Sequence, residues 1–180
     1  PKGRIAAERQ PVPGRALARL GDGGWNPIVE TLINTADAGG AVTVPTELVA
    51  AIAAILKRWD WDQRPTWICP VPSRRRAGLV HSVAKALGEL GKLPVYPALT
   101  TTSVAGDEYQ ADQANSAHQV GNVWNRFMVD PSQLPDGEVL AGPVLLVDDE
   151  VDSRWTITVA AWQLTDAGSG PVLPFALRSR

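Results

Sequence analysis

Twice along the chain, a short apolar run gives way to a polar turn, then to an amphipathic stretch, then to a second apolar run. The first pass reads "TWICPV" (66–71), "PSRRR", "AGLVHSVAKALGELG" (77–91) and "LPVYPAL" (93–99). The second reads "PVLLV" (143–147), "DDEVDSR", "WTITVAAWQLTDAG" (155–168) and "PVLPFAL" (171–177). In the first helix Leu79, Val80, Val83, Ala84, Leu87 and Leu90 recur on one face, and Gly91 is the expected C-cap. Two strand–loop–helix–strand units with such short loops require right-handed crossovers. They predict an α/β fold, a mostly parallel sheet with helices on both faces. Sheets of this kind bind ligands outside the carboxyl ends of their strands. The polar loops 72–76 and 148–154 are expected at those ends.

The flanking segments divide the chain into three expected parts. Residues 1–25 read as a basic arm or linker, because "PVPGRALARLGDGGW" (11–25) is dense in Pro and Gly. Residues 26–64 read as a small helical extension. Asn26 with Pro27 resembles an N-cap followed by Pro at the first helical position, and Ile28, Val29, Leu32, Ile33 and Ala36 share a face before Gly39. A second helix is predicted over 44–59, burying Leu48, Val49, Ile52, Ile55, Leu56 and Trp59. Residues 65–180 form the expected α/β domain. Within it, the polar stretch 100–142 is predicted to hold a helix near 112–121 and a strand at 126–129. Trp25, Trp59, Trp61 and Trp67 are expected to pack the N-terminal helices onto the sheet.

Composition narrows the function classes. With 180 residues, 44% hydrophobic and 20% charged, the chain has the make-up of a globular domain able to bury a core. No apolar stretch approaches the roughly 18 residues needed to span a bilayer, so no membrane partner is expected. The net charge of −2 argues against nonspecific nucleic-acid binding by the whole chain. The first 24 residues differ: Lys2, Arg4, Arg9, Arg15 and Arg19 stand against Glu8 and Asp22, which makes this arm the place for any DNA contact. The lone Cys69, in an apolar run, reads as a small buried hydrophobe and fits a reducing, cytoplasmic setting. A chain that opens at Pro1 is expected to be a piece of something longer.

The two loops carry the chemistry. Ionised Asp148 and Asp149 accept hydrogen bonds only, so a cis-diol suits them, each hydroxyl donating to one oxygen. "DSRWT" then enters a helix whose first N–H groups lack partners, a place for phosphate held by those groups, by the hydroxyls of Ser153 and Thr156, and by the helix dipole. A diol and a phosphate at that separation describe a ribose 5-phosphate. The same acids also read as a plain strand end and helix cap, and Arg74, Arg75 and Arg76 as either an anion site or a solvated turn. No metal is expected on the acid pair directly, since no further ligand stands at suitable spacing. No catalytic residue is legible, and His81 and His118 read as surface or packing residues.

At these residues the chain resembles a known family. "VLLVDDEVDSRWT" is similar to the phosphoribosyl-pyrophosphate (PRPP) signature of type I phosphoribosyltransferases, and "CPVPSRRRAGLVHSVAKAL" with "NSAHQVGNVWNRFMV" resembles the ComF-like branch. The ordered set "GRALARL", "LKRWDWDQRPTWICPVPSRRR", "GKLP", "NSA" and "LLVDDEVDSRWTITVAA" resembles the C-terminal phosphoribosyltransferase-like segment of actinobacterial RecQ-type ATP-dependent DNA helicases. The resemblance implies that Asp148 and Asp149 hold the ribose hydroxyls and that Asp152, Ser153, Arg154, Trp155 and Thr156 form the 5-phosphate loop. It implies that Ser73, Arg74, Arg75 and Arg76 receive the pyrophosphate, with Mg²⁺ bridging the diphosphate. The role it implies is an accessory domain beside the helicase domains of a parent chain, with an active PRPP-dependent transferase as the alternative. Three features depart from the family pattern. Arg154 stands where glycine is usual in the phosphate turn, "AGLV" (77–80) replaces an Arg-Gly-Phe-Asn stretch, and Gly121 stands where an arginine often precedes the Asn-Val pair. An arginine forced to positive φ there would cost on the order of 1 kcal/mol.

Overall fold

A computed structural model of the chain describes residues 10–102, 126–152 and 154–180. In chain order its elements are β1 (Arg15–Arg19), α1 (Asn26–Asp37), α2 (Thr46–Arg58), β2 (Trp67–Pro70), α3 (Ala77–Gly91), β3 (Leu99–Thr101), β4 (Phe127–Val129), α4 (Gly137–Ala141), β5 (Val144–Val151), α5 (Trp155–Asp166) and β6 (Val172–Ser179). Four strands form a parallel sheet in the order β1-β6-β5-β2, while β3 and β4 pair antiparallel in a separate ribbon. The fold is therefore α/β, a parallel sheet with helices on both faces.

The central strands β5 and β6 are apolar over Val144–Val147 and Val172–Leu177 because both of their faces are covered there. Successive side chains point to opposite faces. Leu145, Val147, Leu173, Phe175 and Leu177 join the core beneath α1, α2 and α3, whereas Val144, Leu146 and Val172 join the core beneath α5. Helices α1 and α2 share the core of α3, through Val29, Leu32, Ile33, Leu48 and Ile52. At about 2 kcal/mol for each fully buried Leu or Ile, this layer is a substantial part of the hydrophobic stabilisation.

Several expectations are corrected. The Pro/Gly-rich segment 11–25 is not wholly an arm, because residues 15–19 form the edge strand β1, joined to β6 by backbone hydrogen bonds that begin at Val12. Only Leu17 of that strand is buried, so side-chain pattern barely marks it. Gly14 lets the chain close on the sheet: a Cβ there would lie 2.9 Å from the Pro174 carbonyl oxygen. Asn26 does not cap α1. It lies within the helix, buried, and its Oδ1 has no hydrogen-bond partner.

Helix α3 includes Gly91, and its left-handed C-cap is Lys92 at φ 53°; Leu90 is exposed rather than inward. Of the strand expected over 93–99, Val95 makes a single parallel bridge with Ile68 and Leu99 opens β3, because Pro94 and Pro97 have no N–H to give a continuous ladder. Trp67 packs beneath α5, on the face away from α1 and α2. The strand expected at 126–129 is present as β4, and the helix expected near 112–121 lies outside the described residues.

Candidate functional site

Strand β2 ends at Pro70, opposite Val147, and β5 runs on for four more residues to Val151. The acids expected to open a loop, Asp148 and Asp149, are therefore in the strand itself and almost fully buried, at 4% and 7% exposure. Their ladder partner on this stretch is β6, with Asp148 opposite Ala176 and Glu150 opposite Arg178. On the other side, where β2 has stopped, the 72–76 turn leads into α3. The turn after β2 thus lies beside the acids of β5, with Arg76 Nη1 3.3 Å from Asp149 Oδ2.

The two acids diverge as the pleat requires. Asp148 falls in the row of Val144 and Leu146, and its Oδ1 accepts from the Asp149 N–H at 2.9 Å. Burial pushes its carboxyl well above the usual carboxylate range, and the neighbouring Asp149 charge pushes it further. Asp149 falls in the row of Leu145 and Val147, on the α3 side, where Arg76 Nη1 donates to its Oδ2 at 3.3 Å. Its Oδ1 accepts from the Glu150 N–H at 2.8 Å.

Arg76 is held from two sides. Its Nε and Nη2 donate to the two carboxylate oxygens of Asp37, the last residue of α1, each at 2.7 Å. Its Nη1 also stands 3.6 Å from Glu150 Oε2. The backbone N–H of Arg76 donates to Ser73 Oγ at 3.1 Å, which closes the turn, while Arg74 and Arg75 are exposed.

Glu150 gathers three guanidiniums, because Arg178 and Arg180 both donate to its carboxylate in addition to the Arg76 contact. Burial works against its charged form, but the hydrogen bonds from Arg178 and Arg180 outweigh it and hold the carboxyl below its ordinary value. Arg178 is buried, and its Nε and Nη1 have no hydrogen-bond partner.

The residues expected to hold a 5-phosphate are spread more loosely. Asp152 is exposed and lies 3.7 Å from Arg180 Nη1. Ser153 lies outside the described residues. Arg154 occupies the cap of α5 at φ 62°, ψ −13°, the left-handed conformation for which glycine is suited, with its side chain exposed. Trp155 and Thr156 form the first turn of α5, both half-buried. Reading the sequence alone missed Asp37, Glu150, Arg178 and Arg180. The alternation of "RSR" (178–180) at the end of an apolar strand was the available signal for the last two.

Two open clefts lie away from the acids. One of about 250 Å³ is bounded by Met128, Val129, Gln163, Asp166 and Ala167. The other, of about 670 Å³, follows β1 and Trp25. Among the described residues, no helix is long and apolar enough to cross a membrane.

No family model matches the sequence, nor does any curated protein. Among solved structures, the chain is similar to that of the allosteric regulatory enzyme of purine biosynthesis, at 16% identity and a TM-score of 0.46, over 72% of this chain and 25% of that one. It is also similar to adenine phosphoribosyltransferase from Leishmania donovani, at 14% identity and a TM-score of 0.44, over 76% of this chain and 66% of that one. The chain thus spans a quarter of the first protein's length and just under two thirds of the second's. Likeness at this level assigns no role to any residue here.

Proposed function

We propose that this chain is a phosphoribosyltransferase-like domain with a pocket for a phosphorylated sugar of the PRPP type. We propose further that it serves as an accessory domain of a RecQ-family DNA helicase. One observation supports the pocket: the Ser73–Arg76 turn follows the carboxyl end of β2 and leads into α3, beside the stretch of the adjacent parallel strand β5 that carries Asp148 and Asp149 past that end. In that arrangement the basic turn Ser73, Arg74, Arg75 and Arg76 receives the diphosphate. Asp148 and Asp149 accept from the ribose hydroxyls, and the turn Asp152–Thr156 with the first N–H groups of α5 receives the 5-phosphate. Because Asp149 is already bound by Arg76, a ligand hydroxyl enters by exchanging that contact.

A cluster of three or more acidic, His or Cys side chains fit to hold a metal does not occur among the described residues. Magnesium would accompany the diphosphate, as the family resemblance implies, and would neutralise its charge there. The helicase role is supported by the ordered motifs along the chain, and it places DNA contact on the basic residues of 1–25 and the domain in the cytoplasm. An active transferase of the ComF-like type is the alternative reading of the same pocket.

Titration with Mg²⁺ and PRPP, followed by thermal unfolding, tests the pocket. Ligand at 100 times its Kd adds about 2.7 kcal/mol of stability. No shift at millimolar PRPP would remove the sugar-phosphate reading. For the accessory role, unwinding by the longer helicase with and without these 180 residues is compared. Equal rates and equal DNA affinity would remove it.

A further inference from the structure

We infer that Asp37 is a positioning residue for the acid pair: it shares the single guanidinium of Arg76 with Asp149, so that helix α1 governs how firmly Arg76 occupies the site. The geometry is that of a divided fork. Two of the three Arg76 nitrogens, Nε and Nη2, go to Asp37 at 2.7 Å each, a bidentate pair of the strong type. The third, Nη1, reaches Asp149 at 3.3 Å and Glu150 at 3.6 Å, both longer contacts. An arginine with one planar fork cannot present the same edge to two carboxylates. What Asp37 holds, Asp149 does not.

The location of Asp37 supports a role beyond surface chemistry. It closes α1, where the helix dipole disfavours an acid, and hydrogen bonding from Arg76 is the leading cause that keeps its carboxyl below the usual range. The groups bearing on Asp149 are Arg76 from the turn before α3, Asp37 through that arginine, and its strand neighbours Asp148 and Glu150, the latter shared with Arg178 and Arg180. Removing Asp37 releases the whole fork toward Asp149 and Glu150. The exchange that admits a ligand hydroxyl then becomes harder. This ligand consequence rests on the sugar-phosphate reading; the sharing of Arg76 does not.

The test therefore has two arms. In the first, urea midpoints are measured for Asp37→Asn, Asp149→Asn and the double variant, each also in an Arg76→Gln background. Competition for one guanidinium predicts that the double variant loses more than the two single losses together, since each acid covers for the other. In the Arg76→Gln background the losses should simply add. Additive losses in the native background would overturn the inference. In the second, calorimetry with Mg²⁺ and PRPP should show several-fold weaker binding in Asp37→Asn and partial recovery in Asp37→Glu. Unchanged affinity in Asp37→Asn would also overturn it. A wild-type chain that takes no PRPP but shows the non-additive cycle would sink the sugar-phosphate reading and leave the shared guanidinium standing.

Discussion

Glu150 and Arg178 face each other directly across β5 and β6, and their side chains form an ion pair in which each is 7% exposed. Arg178 has no other acceptor: Nε and Nη1 are buried without partners. Breaking a buried pair leaves an uncompensated charge, which costs more than the pair contributes when intact. Glu150→Gln is therefore expected to destabilise the fold by about 3 kcal/mol in urea unfolding. Arg180→Ala, which removes a half-exposed partner of the same carboxylate, should cost less than about 1 kcal/mol. Equal effects would mean that burial of Arg178 contributes nothing.

Asp148 makes the opposite prediction about pH. Its carboxyl is raised in the folded chain, first by burial and then by the Asp149 charge. A raised carboxyl contributes stability that is fully present below its unfolded value, near 3.8, and is lost as pH rises through the folded value. Asp148→Asn keeps the shape and an oxygen that can accept from the Asp149 N–H. The variant should therefore be more stable than wild type at pH 7 to 8, with the gain shrinking as pH falls toward 4. Asp37 and Glu150 carry the reverse sign, since their depressed carboxyls contribute stability above their unfolded values and lose it in acid. Thermal unfolding across pH 3 to 8 separates the two.

The parts of this fold legible in the sequence are those that bury side chains in a repeating pattern. Helices α1, α2, α3 and α5 and strands β2, β5 and β6 all show it, because one face or both must be apolar. What escaped was set by backbone and by charge. Strand β1 is held through pairing with β6 and buries only Leu17, so its Pro- and Gly-rich surroundings read as an arm. Asp148 and Asp149 read as the end of a strand because acids are seldom buried, whereas here β5 continues through them against β6. Arg76 pairs with Asp149 and with the distant Asp37, and Glu150 pairs with Arg178 and Arg180; spacing along the chain carries no record of such long-range pairs.

Cys69 offers a probe of global opening. It is fully buried in β2, and burial pushes its thiol up to about 12, so at neutral pH it is neither exposed nor ionised. A disulfide reagent should label the native chain only at the rate at which the sheet unfolds, and the rate should rise with urea in step with the unfolding limb. Fast labelling in the absence of denaturant would show that β2, at the sheet edge, opens on its own.

Arg154 and Lys92 are the two described residues other than glycine at positive φ, 62° and 53°. Each follows the same logic of strain: a side chain in the left-handed region costs on the order of 1 kcal/mol, of which glycine recovers part after its own larger loss of chain entropy. Arg154→Gly and Lys92→Gly should each raise stability by up to about 1 kcal/mol. The two differ in surroundings. Lys92 ends α3 at its C-terminus, far along the helix from the acids, whereas Arg154 caps α5 in the turn after Asp152. Under the sugar-phosphate reading, only Arg154→Gly should change the response to PRPP with Mg²⁺. A thermal shift gained in that variant means the arginine obstructs the phosphate turn. A shift present in wild type and lost in the variant means the guanidinium contacts the phosphate. If both variants behave alike toward PRPP, the turn after β5 is not where phosphate binds.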